Sequence, residues 1–255
     1  MPDQCNLPQM PIVAVLAAAA LVALSGCGGG GPPVEHVRVL RLNPAAIVTT
    51  GPSSKSTAVR ASVTTANASR LPPAMSVPQV GSTAVGPTNA GRLVNGLQLP
   101  GTGPDWVTYD PILHRIPNRG DRRWATDRLL AFLLYVLRDY RLANAGAPPV
   151  VIGDLSRPHG GLFGSDFGGL GHASHQNGLD VDVYYPRLDR TLRPSGAVAD
   201  VDRGLAQDLV NRFVGAGAQH AFVGLTVGLG GPSPVVQALP HHDGHVHVRI
   251  ANSRR

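Results

Sequence analysis

Two short stretches constrain this chain more than anything else in it. One is Gly171-His172-Ala173-Ser174-His175-Gln176-Asn177-Gly178-Leu179-Asp180-Val181-Asp182; the other is His241-His242-Asp243-Gly244-His245-Val246-His247. Six of the ten histidines fall within them, beside aspartates and glycines. Imidazole nitrogen with carboxylate oxygen is a donor set that suits Zn²⁺. The two stretches read as halves of one zinc site, so the fold must bring two distant segments together.

Side chains two apart on a strand point the same way. His245 and His247 therefore share a face, with Val246 and Val248 packed beneath. Asp180 and Asp182 share a face in the same way, opposite Val181 and Val183. Two carboxylates on one side of a buried strand each need a cationic or hydrogen-bonding partner, and a metal supplies one. Gly171 and Gly178 let the backbone bend close to the ion, leaving His172 and His175 on a loop that enters the strand. Asp180 either orients a ligand histidine or bonds a backbone group. Asp154 and Arg157, on the preceding loop, either meet the substrate's charged groups or hold a turn. His241 reads as an outer neighbour of the site or a solvated residue, and His159 and His220 as loop or surface residues.

The pattern resembles a known family. His175, six intervening residues and Asp182, with the later His245-Val246-His247, match the motifs of zinc peptidases that include lysostaphin-type enzymes, D-alanyl-D-alanine carboxypeptidases and hedgehog-type domains. Gly171 to Gln176, Gly178 to Asp182 and His245 to Arg249 are closest to the penicillin-insensitive murein endopeptidases. Asn95-Gly96, Leu99-Pro100, Ile152-Gly153-Asp154 and Gly160-Gly161 fall where that family has similar residues. The resemblance covers roughly Gly91 to Ile250. It implies zinc ligands at His175, Asp182 and His247 with a fourth position for water, and a catalytic histidine at His245. It places two further site histidines at His172 and His242. The implied activity is hydrolysis of peptide cross-links in peptidoglycan, between D-alanine and meso-diaminopimelate. Members of the family carry disulfides in this domain, whereas Cys5 and Cys27 leave this chain none there.

Other chemistries fall away. The only glutamate is Glu35, so the glutamate base of HExxH zinc peptidases is missing from the folded part. Gly-x-Ser-x-Gly is absent, and Ser174 has no triad context. No CxxC pair occurs, which excludes a cysteine-ligated zinc site. Two alternatives stay open: a D,D- or L,D-carboxypeptidase with the same metal site, and a non-catalytic lipoprotein that binds zinc or cell wall.

The N-terminal third reads differently. Ile12 to Leu24 is an apolar run suited to a signal peptide, ending in Leu24-Ser25-Gly26-Cys27. Those four residues resemble the lipobox of bacterial lipoproteins, which implies export and a lipid anchor on Cys27. The departure is the lack of any Lys or Arg before Ile12. Residues 28–90 read as a low-complexity, disordered tether, with a short strand possible over Val34 to Val48. From His36 to Pro104 there are six basic residues and no acidic one, so this tether favours anionic surfaces such as lipid headgroups or wall polymers. The basic residues are scattered and no nucleic-acid-binding motif appears, which argues against a nucleic-acid partner. The chain thus divides into residues 1–27, 28–90 and a zinc peptidase domain over 91–255. The expected fold is α+β: a small antiparallel sheet carrying both motifs, flanked by helices. Helices are expected over Asp121 to Ala143, capped by Thr126, and over Asp200 to Val214. Strands are expected at Pro149–Gly153, Leu179–Tyr185, Ala221–Leu225 and Gly244–Ile250.

Overall fold

The computed structural model describes residues 77–165 and 171–252. The expected signal segment, Cys27, the strand at Val34 to Val48 and most of the tether lie outside these residues. Among the described residues no helix is long and apolar enough to cross a membrane.

Six strands form the central sheet. They are β4 (Trp106–Thr108), β6 (Val150–Ile152), β7 (Asp180–Tyr184), β8 (His220–Gly224), β9 (Val236–Leu239) and β10 (His245–Arg249), in the spatial order β4-β6-β7-β10-β8-β9. Four further strands among the described residues form two pairs: β1 (Thr83–Val85) with β2 (Arg92–Val94), and β3 (Leu97–Gln98) with β5 (Trp124–Ala125). The expectation of an antiparallel sheet needs correction. β7, β10 and β8 are antiparallel neighbours, as are β6 and β7, but both outer pairs, β4–β6 and β8–β9, are parallel. A parallel pair needs a crossover. Between β4 and β6 that crossover includes helix α1 (Asp127–Ala143), which then covers one face of the sheet.

Both helices start later than the pattern suggested. Thr126 caps α1 as expected, its hydroxyl accepting from Leu129 N at 3.1 Å. Ahead of it, Gly120–Arg122 is a 3₁₀ turn, and Trp124–Ala125 is taken by the β3–β5 pairing. Helix α2 (Arg203–Gly215) is capped by Asp202, which accepts from Leu205 N at 3.1 Å.

Strand alternation splits the sheet into two chemistries. Val181, Val183, Ala221, Val223, Val246 and Val248 join Leu129, Leu133 and Leu137 of α1 and Leu209 and Phe213 of α2 in a single core. Each buried Val, Leu or Phe side chain contributes about 1.5–3 kcal/mol by leaving water. The opposite face carries Asp180, Asp182, Tyr184, Phe222, His245, His247 and Arg249.

The ordered domain also reaches back before the expected boundary at Gly91. Val77 is buried, and the backbone N–H groups of Val80 and Gly81 each donate to Asp127 Oδ2 at 3.1 Å. Residues 77–90 thus belong to the domain, because the otherwise unspecific Thr and Val of β1 find a partner strand in β2.

Candidate metal centre

Register on β7 and β10 builds half of the site. Arg249 opposes Asp180, His247 opposes Asp182 and His245 opposes Tyr184. All six side chains share the face away from the helices. Asp180 is buried and accepts from His247 Nε2 at 2.8 Å and from Arg249 Nε at 2.6 Å. It fills both roles open for it in the sequence: it orients a site histidine through Oδ1, and its Oδ2 accepts from the backbone N–H of His175 at 3.4 Å. Burial alone would raise its pKa, but His247, His175 and Arg249 together hold it below the usual carboxylate range.

The other half comes from the loop between β6 and β7. His175 sits at φ +68°, a left-handed conformation that a non-glycine residue adopts only when its surroundings impose it. Leu155 O accepts from its Nδ1 at 2.6 Å, which leaves Nε2 aimed at Asp182 Oδ1, 3.3 Å away. Gly171 and Gly178 both have positive φ. A side chain on Gly178 would meet Leu93 and Thr126 N, and one on Gly171 would meet Gly164. The β1–β2 hairpin braces this loop: Gln176 N donates to Thr88 O at 3.0 Å, and Asn177 Nδ2 to Gly86 O at 2.9 Å.

His172 is anchored by residues the sequence did not reveal as a group. Its Nε2 lies 2.8 Å from Asp154 Oδ2, and its Nδ1 lies 3.6 Å from Asp182 Oδ2. Asp154 is buried, gripped by the Arg122 guanidinium and by Asn118 Nδ2 at 2.9 Å. Asp154 therefore supports a site histidine, whereas Arg157 holds a turn, donating to Leu162 O at 2.8 Å. Arg122 and Asn118 sit far from Asp154 in sequence, so no local motif announces them.

His245 is 3.6 Å from Asp182 Oδ1 through Nε2, and its ring packs on those of His242 and Tyr184. Burial, with neighbouring His242 and His247, outweighs Asp182 and pushes its pKa down to about 4, so it is neutral at pH 7. His242 is half-buried, with Nδ1 2.6 Å from Pro240 O; burial lowers its pKa also. His241 and His159 are exposed. His220 stacks on Phe222, whose ring packs on His247, so it stands one residue removed from the cluster.

The centre of this arrangement could hold a metal ion. Among the described residues, buried Asp182 Oδ1 and His175 Nε2 have no hydrogen-bond partner, although they are 3.3 Å apart. His247 Nδ1 lies 3.3 Å from the same oxygen. Zinc bonds of about 2.0–2.1 Å in a tetrahedron separate neighbouring ligand atoms by about 3.3 Å, the spacing at which each of these two imidazole nitrogens stands from Asp182 Oδ1. His172, His175 and Asp182 also offer ligand atoms that all lie within 4.8 Å of one another. The two groupings share His175 and Asp182 and differ in the third donor.

The sequence pattern that defines the penicillin-insensitive murein endopeptidases matches residues 84–212, about half of the chain. The chain belongs to that family. A penicillin-insensitive murein endopeptidase of Escherichia coli O157:H7 (strain EC4115 / EHEC) is 44% identical over 72 residues, covering 28% of this chain and 23% of the relative. That of Escherichia coli strain K12 / DH10B is 43% identical over 72 residues, with the same shares. The aligned part thus spans under a quarter of these murein endopeptidases' length. The family match takes in Asp154, His172, His175 and Asp182, while β10 lies beyond it.

Proposed function

We propose that the protein is a zinc-dependent endopeptidase that hydrolyses peptide cross-links of peptidoglycan, at the D-alanyl–meso-diaminopimelyl bond of its family. The observation that carries this reading is the unpartnered pair Asp182 Oδ1 and His175 Nε2 within reach of His247 Nδ1. His175, Asp182 and His247 would hold the zinc. His247 is favoured over His172 as third ligand because it faces the oxygen that lacks a partner, whereas His172 faces the other one. The backbone carbonyl behind His175 and the carboxylate behind His247 set the tautomers that present the right nitrogens. Bound there, zinc supplies a Lewis acid that acidifies water and polarises the scissile carbonyl.

The remaining steps fall to the chain's own groups. Neutral His245 has a lone pair to take the proton of the attacking water and can return it to the leaving amine. His172, backed by the Asp154–Arg122 pair, can donate toward a developing oxyanion. His242 beside His245 can position water or substrate. Export and a lipid anchor on Cys27 complete the proposal, putting the domain beside the wall. A carboxypeptidase on stem peptides would use the same centre; a non-catalytic wall binder has no use for His245.

Digestion of purified cross-linked muropeptides, followed by mass spectrometry with and without a chelator, tests this reading. Dimers should fall to monomers, cutting should stop on zinc removal and return on zinc addition. Release of only terminal D-alanine from monomers would mean a carboxypeptidase, and chelator-resistant cutting would reject zinc dependence.

Metal affinity should also depend on pH in a defined direction. Burial lowers the pKa of His247, but Asp180 and Asp182 more than compensate and push it up to about 9. Below that pH the imidazole carries a proton that zinc must displace. Affinity should therefore drop by up to about tenfold per unit as pH falls below about 9, and this dependence should flatten above it. Zinc titration against a competing chelator measures it; an affinity constant from about pH 6 to 9 would refute the assignment of His247.

A further inference from the structure

Beside the metal centre lies a cavity of about 380 Å³, lined by Tyr109, His114, Tyr184, Arg193, Ser195 and Asp200 among others. Tyr184 belongs to both places. Its ring forms part of the cavity wall and packs edge-on against His245, centroids 6.1 Å apart. The loop carrying Ser195 runs close to the start of β10, since a side chain on Gly244 would come within 3.7 Å of Ser195 O.

The wall is built rather than incidental. Arg187, whose side chain is 7% exposed, grips Asp189 through Nε and Nη2 at 2.9 and 2.7 Å and reaches Asp200 at 3.1 Å. It also donates to Thr191 Oγ1 and Pro194 O, and so staples the loop into one shape. Asp189 is thereby occupied, and Arg193 meets it only at 3.8 Å, with a further contact from Nε to Thr191 Oγ1 at 3.3 Å. Arg193 keeps 60% of its side chain in solvent. Ser195 Oγ is buried and, among the described residues, has no hydrogen-bond partner. A loosely held guanidinium and an unsatisfied hydroxyl on one wall are a donor set for a carboxylate.

We infer that this cavity is a substrate subsite that binds, through Arg193 and Ser195, the free carboxylate of the residue supplying the leaving nitrogen. The inference rests on the peptidase reading, under which that residue is diaminopimelate and its carboxylate is adjacent to the cleaved amide. Substrates with that carboxylate amidated would bind poorly, because an amide brings no charge to Arg193 and places its own donors against the hydroxyl and guanidinium.

Calorimetry with the full chain tests it. The probe is a disaccharide tripeptide bearing meso-diaminopimelate, with the side-chain carboxylate either free or amidated. Wild type should bind the free acid about tenfold more tightly than the amide, and Arg193→Gln should close that gap while leaving the amide's affinity alone. Ser195→Ala should narrow the gap without abolishing it. An equal affinity for both forms in wild type, no binding of either, or a gap that survives in Arg193→Gln would overturn the subsite. Cleavage of cross-linked dimers, run in parallel, reads the parent assignment separately. A gap without cleavage removes the peptidase and keeps the carboxylate site; cleavage without a gap does the reverse.

Discussion

His247→Ala should cost the protein its zinc and its peptidase activity together. The substitution removes the donor 3.3 Å from Asp182 Oδ1 and also the group that Asp180 orients. Losing merely an outer partner of a ligand lowers metal affinity about 10–100-fold, so losing a ligand should exceed about a hundredfold. The fold should survive, since Asp180 keeps its ion pair with Arg249 at 2.6 Å and the valines beneath are untouched. Bound zinc, measured by atomic emission after dialysis, and muropeptide turnover should vanish in parallel. The comparison with His172→Ala decides the third ligand. If His172→Ala loses zinc and the His247 variant keeps it, the ion belongs to the His172–His175–Asp182 group instead.

The second large effect separates holding the metal from using it. His245→Ala should retain near-stoichiometric zinc and lose turnover by about 10²–10⁴, the range usual for a removed general acid or base. His245 is the nearest unassigned imidazole to Asp182 Oδ1, at 3.6 Å, yet its ring leans on His242 and Tyr184 instead of a carboxylate that would set it as a ligand. A variant that lost zinc as completely as His247→Ala would place His245 among the ligands. A variant that cut muropeptides at the wild-type rate would deny it any part in the chemistry.

What could be read in advance follows from how locally each feature is encoded. β7 and β10 announced themselves because Asp-Val-Asp-Val and His-Val-His-Val alternate with the strand period, and the alternation set which side chains share a face. The partners of those side chains were less legible: the period put Asp180 and His247 each on a shared strand face but left open whether Asp180 meets a histidine or a backbone group. Arg122 was hidden because its charge resembles any solvated helix start, and its role depends on a buried Asp154 that no spacing rule connects to it. β9 was missed for a different reason: Val236–Leu239 is an edge strand with no fully buried residue, so it lacks a clear inside-outside pattern. The β1–β2 hairpin was lost within a Pro-, Ser- and Thr-rich stretch whose two strands are only three residues each.

The strand that supplies His245 and His247 follows every other described strand in the chain, yet it occupies the middle of the sheet, between β7 and β8. Its neighbours cannot be zipped together until it arrives, and pairing of this kind is inherently slow. Construction of the sheet and completion of the proposed zinc site are therefore one event. A polypeptide still awaiting that insertion holds fewer than the full complement of donors, so on the proposed function the activity stays latent until the architecture is finished.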